Sequence, residues 1–229
     1  MREDVADAAR ICARMGLVEA FGHVSARLPD GGFLITATRE MLAANPADLL
    51  QVSDEGELLS GEPSLLPLET PLHTAIYSAR SDVEALCRTH SPHAVAWGAR
   101  GEVPPLMVGL DGLSGEIALH DDTDLVVDME AGAAAAASLG QADCLLIRAN
   151  GNIATAPLLS HAVVRAWFLE QRSANASRIG DAAPLAGQAL TLRSRHYEIE
   201  QMRAWRWCRA RFGDGEQLCA NQSITREGK

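Results

Sequence analysis

Aromatic side chains are scarce in this sequence, at 4% of 229 residues, and several common signatures are missing. No apolar run approaches the roughly 20 residues of a membrane-spanning helix, and the N-terminus shows no signal-peptide pattern. The sequence has neither a phosphate-binding loop nor a Gly-x-Gly-x-x-Gly motif. Its net charge of −10 would repel nucleic acid and anionic membranes. We therefore expect a cytoplasmic protein without a nucleic-acid or membrane partner.

The five cysteines form no disulfide or metal-binding pattern. Their number is odd, they are scattered, and most lie within apolar patterns. They are Cys12, Cys87, Cys144, Cys208 and Cys219. We expect them to be reduced core residues.

The composition is that of a folded α/β protein, because 47% of the residues are hydrophobic. We expect one large domain over residues 1–180, a helical extension over 181–212 and a disordered tail over 213–229. Helical periodicity is found over 3–15, 71–80, 128–139, 157–179 and 192–212, with a further helix starting at Pro92. Strands are predicted over 22–28, 33–38, 49–52, 83–89, 116–120, 144–148 and 152–155, and 53–63 is predicted to be turns.

The stretch 65–92 carries the clearest chemistry. Thr70 is a predicted N-cap and Pro71 suits a first helical turn, so Glu69 lies at the positive end of a helix, where a carboxylate is favoured. The strand that follows alternates with period two, which places Arg88 and His90 on one face. One carboxylate, one arginine and one histidine are thus predicted to meet.

This stretch also resembles the class II aldolase/adducin family. Its pattern is P-x-E-x-P-L-H-x-x-I-Y-x-x-R-x-D-V, and a strand ending in T-H-S-P follows. Two further blocks occur in the family's order, G-H-V-S-A-R at 22–27 and an apolar run that ends in Asn150-Gly151, and the likeness covers 5–176. The resemblance implies a three-layer α/β/α fold with a central, mostly antiparallel sheet. It also implies a homotetramer with active sites between subunits.

The resemblance implies a divalent metal, but the ligands differ. Relatives hold zinc, manganese or iron through three histidines, at the positions of Arg88, His90 and Asn150 in this chain. An arginine cannot ligate a cation, and an amide oxygen is a poor zinc ligand. We therefore predict that no zinc-type metal binds. The alternative is a metal held by rearranged ligands, namely His90 and Glu69 with His93 or His120.

Roles for the polar residues follow from this substitution. Arg88 puts a fixed positive charge in the cation's place, suited to an oxyanion, while Glu69 and His90 are candidates to move protons. We expect substrate binding by the remaining polar residues. They are His23, Ser25, Asn150, His93 and His120. The resemblance implies that His120 is an acid that acts in the active site of a neighbouring subunit.

The resulting hypothesis is a lyase or isomerase that acts through an enolate. Aldol cleavage or condensation, decarboxylation, dehydration and epimerisation all remain open. The substrate would be a small oxygenated anion that bears a carboxylate or phosphate. The alternatives are a non-catalytic adducin-like scaffold and a metal-dependent aldolase or an oxygenase of secondary metabolism.

Overall fold

A computed structural model describes residues 1–186 and 195–214. Its strands are β1 (His23–Arg27), β2 (Phe33–Ile35), β3 (Leu50–Val52), β4 (Leu58–Ser60), β5 (Ala85–Thr89), β6 (Ile117–His120), β7 (Cys144–Ile147) and β8 (Gly151–Ala156). They form one eight-stranded sheet in the order β4-β3-β2-β1-β5-β8-β7-β6. All neighbouring strands are antiparallel except β6 and β7.

Helices cover both faces of this sheet. They are α1 (Arg2–Arg14), α2 (Thr70–Ala79), α3 (Pro92–Arg100), α4 (Met129–Leu139), α5 (Leu159–Ile179) and α6 (Tyr197–Phe212). Helices α2 and α4 pack against one face, and α1, α3 and α5 pack against the other, where α6 contacts α5 and α1. The predicted three-layer α/β/α fold with a mostly antiparallel sheet is confirmed.

Strand alternation separates two hydrophobic cores. Val24 on β1 and Cys87 on β5 join the core beneath α1 and α5, whereas Leu86 joins the core beneath α2 and α4. Because side chains alternate along a strand, Ser25 and Arg88 point toward the α2 side. The α2 side of the sheet therefore carries polar groups at its centre.

The structure differs from the predicted elements at several places. The segment predicted to be turns contains the edge strand β4, and β5 begins at Ala85, two residues later than expected. Glu69 rather than Thr70 is the N-cap residue of α2, while the Thr70 hydroxyl donates to the carbonyl of Pro67. Helix α6 begins at Tyr197, and positions 192–194 of its predicted range lie outside the described residues.

The cysteine prediction is confirmed where the structure describes it. Cys12, Cys87, Cys144 and Cys208 are free and buried, and Cys219 lies outside the described residues. Most of the predicted tail, residues 215–229, also lies outside them. Among the helices that are described, none is both long and apolar enough to cross a membrane. The predicted division at residue 180 stays a prediction.

Candidate active site

The polar residues of the sheet's α2 side meet where α2 begins. His23 on β1 is paired with Arg88 on β5, and Glu69 precedes the first turn of α2. The turn between β7 and β8 brings Asn150 to the same place, because β8 lies beside β5. A cavity of about 490 Å³ opens here. It is lined by Ala20, Phe21, Gly22, His23, Thr38, Arg39, Leu68, Glu69, His90, Leu125 and Asn150.

Arg88 lies just beneath this cavity and is 0% exposed. Its Nε donates to Glu69 Oε2 at 3.1 Å, and its Nη2 donates to Glu69 Oε1 at 3.2 Å. Nη2 also donates to the Asn150 carbonyl at 2.6 Å, and Nη1 donates to the Thr89 carbonyl at 3.0 Å. All three guanidinium nitrogens thus have protein partners. Arg88 binds the catalytic candidate Glu69, and not the substrate oxyanion that we expected it to contact.

Gly151 makes room for the guanidinium group. Its φ of +95° is in the region that favours glycine, and a Cβ at this position would collide with Arg88 Nη1. Ala149, two residues earlier, has a φ of +55°, which is uncommon for a residue with a side chain. The tight β7–β8 turn is therefore shaped around the arginine.

His90 follows β5 and is partly exposed in the cavity. Its Nδ1 lies 3.2 Å from the carbonyl oxygen of Phe21. Since a carbonyl only accepts, Nδ1 carries the ring proton and Nε2 keeps a lone pair. Burial and the charge of Arg88 lower the pKa of His90 below its usual value. At pH 7 His90 is a neutral imidazole that can accept a proton at Nε2.

Asn150 contributes a hydrogen-bond donor. Its side-chain oxygen accepts from Arg88 Nη2 at 3.3 Å, the longest of the three hydrogen bonds of that nitrogen. Among the residues that the structure describes, its buried Nδ2 has no hydrogen-bond partner. Buried donors without a partner are uncommon and cost free energy, so an oxygen of a bound molecule is a suitable acceptor.

Two residues of the site were not predicted from the sequence. His73 Nδ1 lies 2.7 Å from Ser25 Oγ, which lies 2.7 Å from the Tyr77 hydroxyl. On its other side, His73 Nε2 lies 3.4 Å from His23 Nδ1. Glu69, His73 and Tyr77 are spaced four residues apart, so helical periodicity would have put all three on one face of α2.

The family comparison agrees with this architecture. A family model described as "Class II Aldolase and Adducin N-terminal domain" matches residues 3–176. The chain belongs to that family.

Relatives of this chain, in sequence and in structure, are members of the same class II aldolase family. The 3,4-dihydroxyphthalate decarboxylase of Arthrobacter keyseri is 28% identical over 182 residues, which cover 72% of this chain and 73% of that protein. The 3-oxo-tetronate 4-phosphate decarboxylase of Cupriavidus necator is 38% identical over 96 residues, 39% of this chain and 43% of that protein.

A solved structure supports the fold. The L-fuculose 1-phosphate aldolase of Glaciozyma antarctica superposes with a TM-score of 0.77 at 20% identity and covers 91% of this chain and 88% of that chain. Together with the lyases above, the family match identifies the chain as a class II aldolase-like lyase.

The residues at the metal position of this class II aldolase-like chain do not fit a zinc-type ion. Arg88 has only donors there, and its charge would repel a cation. The Asn150 side-chain oxygen already accepts from Arg88. Within residues 1–186 and 195–214, no group of three His, Cys, Asp or Glu side chains is placed to hold a metal. The site therefore lacks the ligands that a zinc-type ion needs.

His93 and His120 lie outside the cavity, which corrects their expected position beside Glu69 and His90. His93 Nδ1 is 2.6 Å from Glu170, and the same carboxylate accepts from the backbone nitrogens of His93 and Ala94 at the start of α3. His120 is the last residue of edge strand β6, and its Nδ1 is 2.9 Å from Ser138 Oγ on α4. The rearranged ligand set is therefore not assembled within the chain. The expected role of His120 toward a neighbouring subunit stays a prediction.

Proposed function

We propose that this lyase breaks a bond next to a carbonyl group of a small anionic metabolite, leaves an enolate, and needs no zinc-type metal. The observation that carries the proposal is the cavity in which Glu69, His90 and Asn150 surround one space, with the Arg88 guanidinium group beneath it. Such a site provides proton carriers and donors for developing negative charge.

The proposed chemistry assigns each group a part. In a decarboxylation, the electrons of the breaking carbon–carbon bond move into the carbonyl group, carbon dioxide leaves, and an enolate remains. The buried Asn150 Nδ2 is free to donate to the enolate oxygen. Glu69 and His90 lie at the cavity wall as proton carriers that complete the reaction at carbon. Aldol cleavage, dehydration and epimerisation use the same intermediate.

Arg88 supports this chemistry without contact to the substrate. Its positive charge lies within one hydrogen bond of Glu69 and of Asn150, in a fully buried environment. A buried charge acts over a longer range than an exposed one, because solvent screens it less. Arg88 thus favours negative charge in the cavity and holds two cavity residues in place.

Decarboxylation is the reaction that we favour within this class. Two of the relatives are decarboxylases by name, one of a dihydroxyphthalate and one of a phosphorylated 3-oxo acid. Both names describe an anionic, oxygenated substrate. We accordingly propose that the substrate of this chain bears a carboxylate or a phosphate. We also propose that the protein is located in the cytoplasm.

The rim of the cavity supports the proposed homo-oligomer. Phe21 is 75% exposed and Leu68 is 74% exposed, and both line the cavity mouth together with Leu125. Exposed apolar groups that adjoin a binding site are suited to a protein contact. We propose that a neighbouring copy covers this rim in a homotetramer.

The experiment measures carbon dioxide release by chelator-treated protein. The substrates are 3,4-dihydroxyphthalate and 3-oxo-tetronate 4-phosphate, assayed in parallel. We expect turnover of at least one, and a loss of about 10²- to 10⁴-fold in Glu69→Gln without unfolding, because a proton carrier is removed.

Glu170→Gln is the matched control, since Glu170 is also a buried glutamate beside a histidine but lies outside the cavity. It should keep its turnover. Full activity of Glu69→Gln would remove Glu69 from the mechanism. Activity that disappears with the chelator and returns with zinc would contradict the metal-free proposal.

A further inference from the structure

A row of hydrogen-bonded side chains runs from the cavity into the core beneath α2. The row consists of Tyr77, Ser25, His73 and His23, with separations of 2.7, 2.7 and 3.4 Å between the polar atoms. Ser25 and His73 are 0% exposed, Tyr77 is 4% exposed, and His23 lines the cavity. The proposed chemistry assigns no part to these four residues, although the sequence suggested that His23 and Ser25 bind substrate.

The available protons determine which group donates and which accepts in each hydrogen bond of this row. The Tyr77 hydroxyl has Ser25 Oγ as its one hydrogen-bond partner in the described residues, so Tyr77 donates and Ser25 accepts. A buried hydroxyl that lacked an acceptor would cost about 1–3 kcal/mol. The one proton of Ser25 is then available for His73 Nδ1, which must accept.

The direction continues to the cavity. A neutral His73 that accepts at Nδ1 carries its proton on Nε2 and donates it to His23 Nδ1. His23 in turn carries its own proton on Nε2. His23 Nε2 has no hydrogen-bond partner in the described part of the chain. It is therefore the ring nitrogen that can donate to a molecule bound in the cavity.

Both rings are held in the neutral state that this count needs. Burial and, to a lesser extent, the charge of Arg88 lower the pKa of His73 from its usual value to about 3. Burial and the neighbouring His73 hold the pKa of His23 well below its usual value. At pH 7 neither ring carries a second proton.

We infer that Ser25 and His73 are positioning residues that hold His23 with its proton on Nε2, so that His23 donates a hydrogen bond to an oxyanion in the cavity. The inference rests on the proposed function for the identity of that oxyanion. It provides a second donor beside Asn150, in a site where the nitrogens of Arg88 are already bonded to protein. A neutral imidazole that acts as a hydrogen-bond donor is an established catalytic device.

The tautomer is measured directly by nuclear magnetic resonance on the full chain labelled with nitrogen-15 histidine. Long-range proton–nitrogen spectra at pH 7 distinguish a protonated from an unprotonated ring nitrogen, and His23→Asn identifies the His23 signals. We expect a protonated Nε2 and an unprotonated Nδ1 in both His23 and His73. A proton on Nδ1 of His23 would overturn the inference, whatever the enzyme's substrate.

Two variants test the part played by Ser25. In Ser25→Ala no group specifies which nitrogen of His73 is protonated, so the signals of both rings should shift toward an average of the two tautomers. In Tyr77→Phe the Ser25 hydroxyl still donates to His73, so the signals should stay as in the wild type. Unchanged signals in Ser25→Ala would show that Ser25 does not select the tautomer.

Activity tests the donor itself, once a substrate is turned over. Asn in place of His23 has an oxygen to accept from His73 and an N–H to donate to the cavity, so kcat should fall less in His23→Asn than in His23→Asp. Asp can only accept when ionised, so kcat of His23→Asp should fall by about 10²- to 10³-fold, the usual effect of losing one oxyanion donor. A fully active His23→Asp enzyme would show that the cavity needs no donor at this position, which would contradict the inference.

These readouts separate the two proposals. If the wild type turns over none of the tested acids but shows the expected tautomers, the proposed reaction fails and the positioning inference stands. If the reaction proceeds and the proton of His23 lies on Nδ1, the inference alone fails.

Discussion

Replacing Arg88 with methionine tests how strongly the guanidinium group is tied to Glu69. Arg88 is 0% exposed and Glu69 is 7% exposed, so water screens their attraction very little. Two unit charges about 4 Å apart attract by about 4 kcal/mol at the effective dielectric constant of about 20 that suits protein sites. Removing one partner of a buried pair typically costs about 3–5 kcal/mol, because the other charge stays buried and unpaired.

We therefore expect Arg88→Met to lower the free energy of unfolding by about 3–5 kcal/mol, and Arg88→Met with Glu69→Gln to recover much of that loss. The assay is urea unfolding at pH 7, followed by circular dichroism, for the wild type, both single variants and the double variant. The coupling energy of this cycle isolates the pair from other effects of each substitution.

The control is the ion pair between Arg100 and Glu102, whose side chains are 57% and 53% exposed. Glu102→Gln should cost about 0–1 kcal/mol, as exposed pairs do. A coupling energy between Arg88 and Glu69 below about 1 kcal/mol would mean that water screens this pair as well as a surface pair, contrary to the prediction.

Two further predictions concern the surroundings of Arg88. Because the pKa of His73 is about 3 in the folded chain and its usual value is 6.5, the unfolded chain binds more protons between these values, and stability falls as the pH is lowered. Going from pH 7 to pH 5 should cost about 2 kcal/mol through His73, and His73→Phe should flatten the measured pH dependence by about that amount. Gly151→Ala should destabilise the fold by more than Gly16→Ala: both have a positive φ, but only Gly151 has the guanidinium group where a Cβ would go. Gly16→Ala should cost about 1–2 kcal/mol in urea unfolding, and an equal cost at Gly151 would contradict the close packing around Arg88.

Local patterns predicted the elements that local forces determine. Helix α4 was predicted over 128–139 and covers Met129–Leu139, with the Asp128 side chain as its N-cap and Gly140 as its C-cap. The alternation of His23, Ser25 and Arg27 against Val24 and Ala26 was also predictable, because a half-buried strand needs it. The short edge strand β4 was not, since Leu58–Ser60 lies among turn residues and pairs only at the sheet's edge.

The partners of the site residues depend on contacts that are distant in sequence. Arg88 is bonded to Asn150, 62 residues later, because β8 pairs with β5 and its turn folds back over the arginine. His93 is bonded to Glu170, 77 residues later, and this carboxylate holds the histidine away from the cavity. Periodicity placed Arg88 and His90 on one face of a strand, but it contains no information about which acceptor each side chain meets.

If Arg88 takes the place of a metal ion in this class II aldolase-like site, the purified chain should hold little metal, and elemental analysis measures this. Protein purified without added metal is assayed for zinc, manganese and iron by mass spectrometry, beside Arg88→His with Asn150→His, which supplies the two missing imidazoles. We predict well below one metal ion per chain in the wild type and a gain of metal in the double variant. One tightly bound ion per wild-type chain would show that Arg88 does not replace the metal.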